Sequence, residues 1–266
     1  MTTINIYRLK TQIMDMDRFM SMAEQFRIEG EPVQTDEALA VRDDERVLAF
    51  AQPGAKFAGL LFYNDSSQSA GQVPEKAPSE RTARAWADEF TKKFDLLPRL
   101  SASKEEAERI GLAVNLSSVQ PTAITFDGKE RHKHSAGTEV KSSIELSGIP
   151  VVGPRAKFRF MFKSVEHPLT VHVSAWDDLS LFEEAELVRE HDVVTAVKER
   201  LASRRDGQAD YRLLDVKLAY FANEYTGGPD LLAPSYFVEI ESTSRRSDIK
   251  ESVQGIRQQI QLPAYR

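Results

Sequence analysis

The sequence predicts an α+β protein in which antiparallel sheets carry helices packed on one face, arranged as repeated helix-plus-hairpin units. Two observations predict it. Three segments place apolar residues at helical spacing, and each precedes short runs rich in β-forming residues. Turn residues such as Asp43-Asp44 and Pro53-Gly54 then separate those runs. Residue identity between the units is too low for a sequence repeat.

The first helix spans Met16–Phe26, with Met16, Phe19, Met20, Ala23 and Phe26 on one face and Gly30 placed to end it. The second is capped by Ser79, with Glu80 in its first turn and Lys92 and Lys93 in its last, where each charge opposes the helix dipole. Its apolar face is Ala83, Trp86, Ala87, Phe90 and Phe94, and Pro98 blocks extension. The third, Asp192–Leu201, is capped by Asp192 and presents Val193, Ala196, Val197 and Leu201. The acidic stretch Phe182–Glu190 leads into it.

Strands are expected at Glu37–Arg42, Arg46–Ala51, Phe57–Tyr63, Arg155–Lys163, Leu169–Trp176, Tyr211–Phe221 and Leu232–Glu241. Lys104–Ile110 reads as a short helix and Asp127–Ser147 as a polar hairpin that turns at Asp127-Gly128 and Ala136-Gly137. The Ser/Gly/Pro-rich stretch 64–78 reads as a linker or long loop. It separates a small N-terminal unit, 1–63, from a main domain, 79–246. A C-terminal helical tail, 247–266, follows, with Ile249, Val253, Ile256 and Ile260 on one face.

Composition narrows the function classes. The chain has 266 residues, 41% hydrophobic and 29% charged, as in an ordinary globular protein. A net charge of −6 argues against nucleic-acid binding, which usually shows a basic domain. With no cysteine, thiol nucleophiles, disulfides and Cys-ligated zinc are excluded. The N-terminal residues lack an apolar core of signal-peptide type, and no apolar run approaches the roughly 20 residues of a membrane span. The chain as given is therefore expected to be soluble and cytoplasmic.

Chemistry-bearing motifs are sparse. No Gly-rich phosphate loop and no Gly-x-Ser-x-Gly elbow is present. Asp177-Asp178 and Glu183-Glu184 are adjacent, so their carboxylates point apart and form no acid–base dyad. His132 and His134 alternate within Arg-His-Lys-His and would leave one face of a strand. Joined by Glu130 or Glu139 they would resemble a metal ligand set, but Arg131 and Lys133 oppose a cation. No metal site and no cofactor is expected.

The most informative surface is basic. Arg155, Lys157, Arg159 and Lys163 alternate with Ala156, Phe158, Phe160 and Phe162, as in a strand with one core face and one solvent face. On the return strand Leu169, Val171, Val173 and Ala175 face the core, leaving Thr170, His172, Ser174 and Trp176 outward. Paired, the two strands would display Arg155, Lys157, Arg159, Lys163, His172 and Trp176 to a protein partner carrying acidic groups. The alternative is a small-ligand-binding protein or enzyme. Its pocket would lie between sheet and helices, lined by Phe158, Phe160, Trp86 and Tyr220.

The segment Gly148-Ile-Pro-Val-Val-Gly-Pro154 precedes an alternating strand and a helix, Val193–Leu201. Asp215-Val-Lys-Leu-Ala-Tyr220 and Leu231-Leu-Ala-Pro-Ser-Tyr-Phe-Val-Glu-Ile-Glu241 follow. Together with helix Ser79–Phe94 this pattern, covering roughly Ser79 to Glu241, resembles the PepSY-like domains of YycH/YycI-type regulators. The resemblance implies a PepSY/cystatin-like α+β fold. It also implies a non-catalytic module that binds or restrains another protein, such as a peptidase or a sensor, with no catalytic residues to carry over. Members of that type have a membrane anchor, which no segment here matches.

Overall fold

The computed structural model describes residues 2–68, 77–98, 108, 110–127, 130–174, 176–203, 209–222, 231–244 and 256–265. Strands make up about half of the described residues. The α-helices bounded among the described residues are α1 (Met16–Gln25), α2 (Glu80–Lys93) and α3 (Glu190–Ser203). The expectation of repeated helix-plus-hairpin units is therefore wrong: the protein is sheet-dominated, with three short helices bounded among the described residues. Of the strands not expected, Thr3–Thr11 carries the buried Ile4, Ile6, Tyr7 and Leu9, and Ile149–Val152 is almost wholly apolar. Leu112–Val119 and Trp176–Glu186, by contrast, are polar or acidic segments with little period-two signal. The pairing partners of these last two, rather than their own composition, make them strands.

The chain divides into two compact units, one of Arg8–Ser180 with Ala222–Asp230, the other of Met1–Tyr7, Leu181–Phe221 and Leu231–Arg266. The division does not fall at 64–78. Residues Asn64 and Asp65 belong to a strand that pairs with a strand of the supposed main domain, and Ser66–Gln68 form a 3-10 turn. Residues 69–76, most of the Lys104–Ile110 segment and the first half of the tail lie outside the described residues. The chain crosses between the units within β1 (Thr3–Thr11) and β13 (Trp176–Glu186).

In the larger unit the sheet is built from β2 (Val33–Gln34), β3 (Ala38–Arg42), β4 (Arg46–Ala51), β5 (Leu60–Asp65), β6 (Leu112–Val119), β9 (Thr138–Leu146), β10 (Ile149–Val152), β11 (Phe158–Phe162) and β12 (Thr170–Ser174). Its order is β10-β9-β11-β12-β5-β4-β3-β2, with β6 also on β9, and these pairings are antiparallel. A separate hairpin joins β7 (Thr122–Asp127) and β8 (Glu130–Ser135). The hairpin turn expected at Ala136-Gly137 does not form, because β8 pairs with β7 while β9 pairs with β6, β10 and β11. Gly137 instead links the two sheets, at φ +126°, with no room for a side chain. An added Cβ would lie 2.3 Å from the Phe162 carbonyl oxygen.

Helices α1 and α2 cover one face of this sheet. Asp15 caps α1 and Ser79 caps α2, each accepting a backbone N–H three residues on, from Arg18 and Thr82. Neither helix ends where a glycine or proline would place its stop. Arg27 and Asp95 adopt the left-handed conformation, and Ile28 and Leu96 donate back to Ala23 and Thr91 in Schellman closures. Phe26 then stacks on Tyr63 (3.9 Å between centroids), and Trp86 and Phe90 stand edge-on to Phe162 and Phe160 at 5.5 and 6.0 Å. Phe26, Phe160 and Tyr63 are fully buried. Phe158 and Phe160 are thus packed core, and the half-buried Trp86 packs against Phe90, Phe160 and Phe162.

In the smaller unit β15 (Leu231–Ser244) lies between β14 (Ala209–Phe221) and β16 (Ile256–Pro263). Val193 and Val197 of α3 pack with Tyr236, Val238, Ile240 and Ala264, and the Tyr236 hydroxyl donates to the Val188 carbonyl at 2.9 Å. Tyr220 is buried here too, its hydroxyl donating to Asn5. The described part of the tail is therefore a strand and not a helix. Residues four apart share a face in both a strand and a helix, so the Ile256/Ile260 spacing fits either period. Eight ladder positions on β15 decided for the strand. Deleting Ile256–Arg266 should strip one edge of β15 and lower the melting temperature by about 5 °C or more. An unchanged melting curve would mean that β16 contributes nothing to the unit.

Candidate functional site

The sheet face of the larger unit opposite α1 and α2 carries the candidate site. Strand pairing sets its residues directly beside one another in a row: Lys141, Arg159, His172, Phe62, Ala49, Ala40 and Val33. Leu60, Val47, Ala51, Ala38 and Met161 share the face by alternation along their strands. One end is cationic; the other is apolar except for Arg42 and Asn64 at the ends of β3 and β5.

Glu139 organises the cationic end. It is 5% exposed and takes ion pairs from Arg159 and, at 2.8 Å, from Lys141. Burial pushes the Glu139 carboxyl up, but hydrogen bonds and charge from Lys141 and Arg159 outweigh it and hold it below the usual carboxylate range. The two cations remain 53% and 58% exposed, and Lys157 is exposed beside them. His172 is half-buried edge-on against Phe62, at 5.0 Å. Burial first, then the charges of Arg159 and Lys157, lower its pKa, so the imidazole is neutral at pH 7.

Three of the six residues expected on this face are elsewhere. Arg155 lies in a 3-10 turn, Pro154–Ala156, before β11 begins; it is buried and its guanidinium donates to the Thr11 hydroxyl. Lys163 lies past the end of β11 and is 7% exposed. Trp176 belongs to β13, is 1% exposed, and its indole N–H donates to the Arg155 carbonyl at 2.8 Å. Simple alternation was carried past both ends of strands only five residues long. Lys157, Arg159 and His172 keep their expected place. Lys141, Phe62, Ala49 and Ala40 were missed, although apolar residues at both parities of β3 to β5 signal a strand apolar on both faces.

His132 and His134 sit on β8 opposite Thr125 and Ala123. Glu139 is committed to Arg159 and Lys141, and no group of three or more metal-binding side chains occurs among the described residues.

A second polar cluster had no sequence signal at all. Asp65, fully buried, accepts from the Ser67 backbone (3.0 Å) and hydroxyl (2.5 Å), from Gln68 (2.8 Å) and from the His167 imidazole (2.9 Å), while Arg46 lies at 3.8 Å. These groups and Lys163 line a cavity of about 350 Å³. Burial raises the Asp65 carboxyl, but the hydrogen bonds from Ser67, Gln68 and His167 prevail and lower its pKa. Lys163 is pushed down by burial. The partners 65 and 167 are 102 residues apart, a separation no local motif encodes.

No protein-family model and no curated protein matches the chain. Among solved structures it is similar to an uncharacterized protein from Eubacterium rectale ATCC 33656, with a TM-score of 0.50 and 10% identity. The likeness covers 99% of this chain and 84% of that one, and at this identity it concerns the fold alone. No helix among the described residues is long and apolar enough to cross a membrane.

Asp65 has a depressed folded-state pKa, so its stabilisation is complete above the unfolded value of about 3.9 and is lost as pH falls through the folded one. Asp65→Asn should cost about 2–4 kcal/mol at pH 7, because it leaves Arg46 and His167 beside an uncharged group. The penalty should shrink as pH falls below 4. A penalty equal at pH 7 and pH 3 would show that the charge of Asp65 is immaterial.

Proposed function

We propose that this protein is a non-catalytic binding module that docks a protein partner on the sheet face opposite α1 and α2, in a regulatory role. The observation that carries the proposal is chemical. An antiparallel sheet with one face on the core normally turns polar residues outward, yet here Ala38, Ala40, Val47, Ala49, Ala51, Leu60 and Phe62 occupy outward positions. Beside them stand the exposed Lys141, Lys157 and Arg159, on a chain whose net charge is −6. An apolar area bordered by one sign of charge is what a specific protein contact uses for affinity and orientation. The resemblance to PepSY-like YycH/YycI regulators supports the same role, with a peptidase or a sensor protein as the kind of target.

Ala49→Glu places a charge in the middle of the apolar area without touching the buried face of β4. It should leave the melting temperature within about 2 °C of wild type, the scale of a surface change of 0.5 kcal/mol. It should also abolish capture of the partner from native lysate by the immobilised chain. Equal capture by wild type and a folded Ala49→Glu variant, or capture by neither, would overturn the proposal.

A further inference from the structure

We infer that the partner element seated on this face is an amphipathic helix of about three turns, with acidic residues along one flank of its apolar stripe. The inference rests on the docking role proposed above and adds the chemistry and shape of what docks. Size comes from the strands. The apolar area lies on β3, β4 and β5, whose longest members have six residues, or about 20 Å of strand; a helix covering that length has about 12–13 residues.

Shape follows from side-chain volume. Ala38, Ala40, Ala49 and Ala51 make a shallow floor on β3 and β4, and Leu60 and Phe62 on β5 form its raised side. Helices approach small residues closely, so a floor of alanines beside a wall of larger side chains seats one helix lying along the strands. A helix about 10 Å across covers roughly two strands at about 4.8 Å spacing.

Charge sets the orientation. Beyond the wall, β12 presents His172 and Thr170, and β11 and its approach present Arg159, Met161 and Lys157. Lys141 and Glu139 follow on β9. Of the carboxylates there, Glu139 is already held by Arg159 and Lys141. The flank of the helix nearest β5 therefore faces His172 on β12, and long acidic side chains there point across Phe62 toward Arg159, which is 58% exposed. An acidic flank there would stabilise protonated His172. Complex formation then takes up a proton, and affinity rises as pH falls, because His172 is neutral in the free chain.

The test uses three fluorescent 14-residue peptides in anisotropy titrations with the full chain. One has an apolar helical stripe and a Glu flank, one the same stripe with a Lys flank, and one the acidic composition with its helical period scrambled. The acidic-flank peptide should bind at least tenfold more tightly than either of the others. The double variant Lys157→Glu/Arg159→Glu should reverse the preference between acidic and basic flanks, and His172→Gln should remove the strengthening between pH 7.5 and 6. Binding by none of the peptides, equal binding by all, or a preference that survives the charge reversal would overturn the inference. So would a chain that dimerises through this face, seen as a sedimenting dimer abolished by Ala49→Glu. If lysate capture still depends on Ala49 while the peptides show no flank preference, the docking role stands and only the helical, acidic occupant fails.

Discussion

Phe26 lies flat on Tyr63, and Trp86 and Phe90 stand edge-on to Phe162 and Phe160, so aromatic contacts fasten both helices of the larger unit to one face of its sheet. Each such pair adds about 0.5–1.5 kcal/mol beyond the area it buries. The rest of the larger unit depends on this seam. Because side chains alternate strictly along a strand, burying Phe158, Phe160 and Phe162 obliges Arg159 and Met161 to face the other way. The same parity carries through β12, β5, β4 and β3, and it composes the open face residue by residue.

Two buried carboxylates then show how the unit manages charge. Both Glu139 and Asp65 carry a burial penalty, and in both the partners prevail. Their consequences differ. Asp65 collects its donors from two loops and ties the end of β5 to the segment between β11 and β12. Glu139 instead collects two long cations whose shafts lie on the open face and whose heads stay wet. One carboxylate closes a structure, while the other arranges a cationic border.

What the sequence makes legible follows from how local each signal is. The cap at Ser79, and the apolar stripes through Phe19 and Ala23 and through Ala83, Ala87 and Phe90, are settled within a few residues, and the helices lie there. The cores of β11 and β12 are legible for the same reason. Their ends are not, since alternation continues on paper through Arg155, Lys163 and Trp176, where the backbone has already turned. The acidic β13 and polar β6 carry only two β-branched or aromatic residues each, and they become strands through pairing with neighbours. Most of the open-face row, including Lys141 and Phe62, is legible only once the order of strands is known. The contact of Asp65 with His167 joins loops that no spacing rule relates.

The central claim, that the face opposite α1 and α2 is where a partner sits, is tested most directly by lysine acylation. The free chain and the chain bound to its captured partner would be labelled briefly, digested and compared by mass spectrometry. The account predicts protection of Lys141 and Lys157 in the complex, with Lys92 and Lys93 at the end of α2, exposed on the other side of the sheet, labelled as fast as before. Protection of Lys92 and Lys93 with Lys141 and Lys157 unchanged would contradict it.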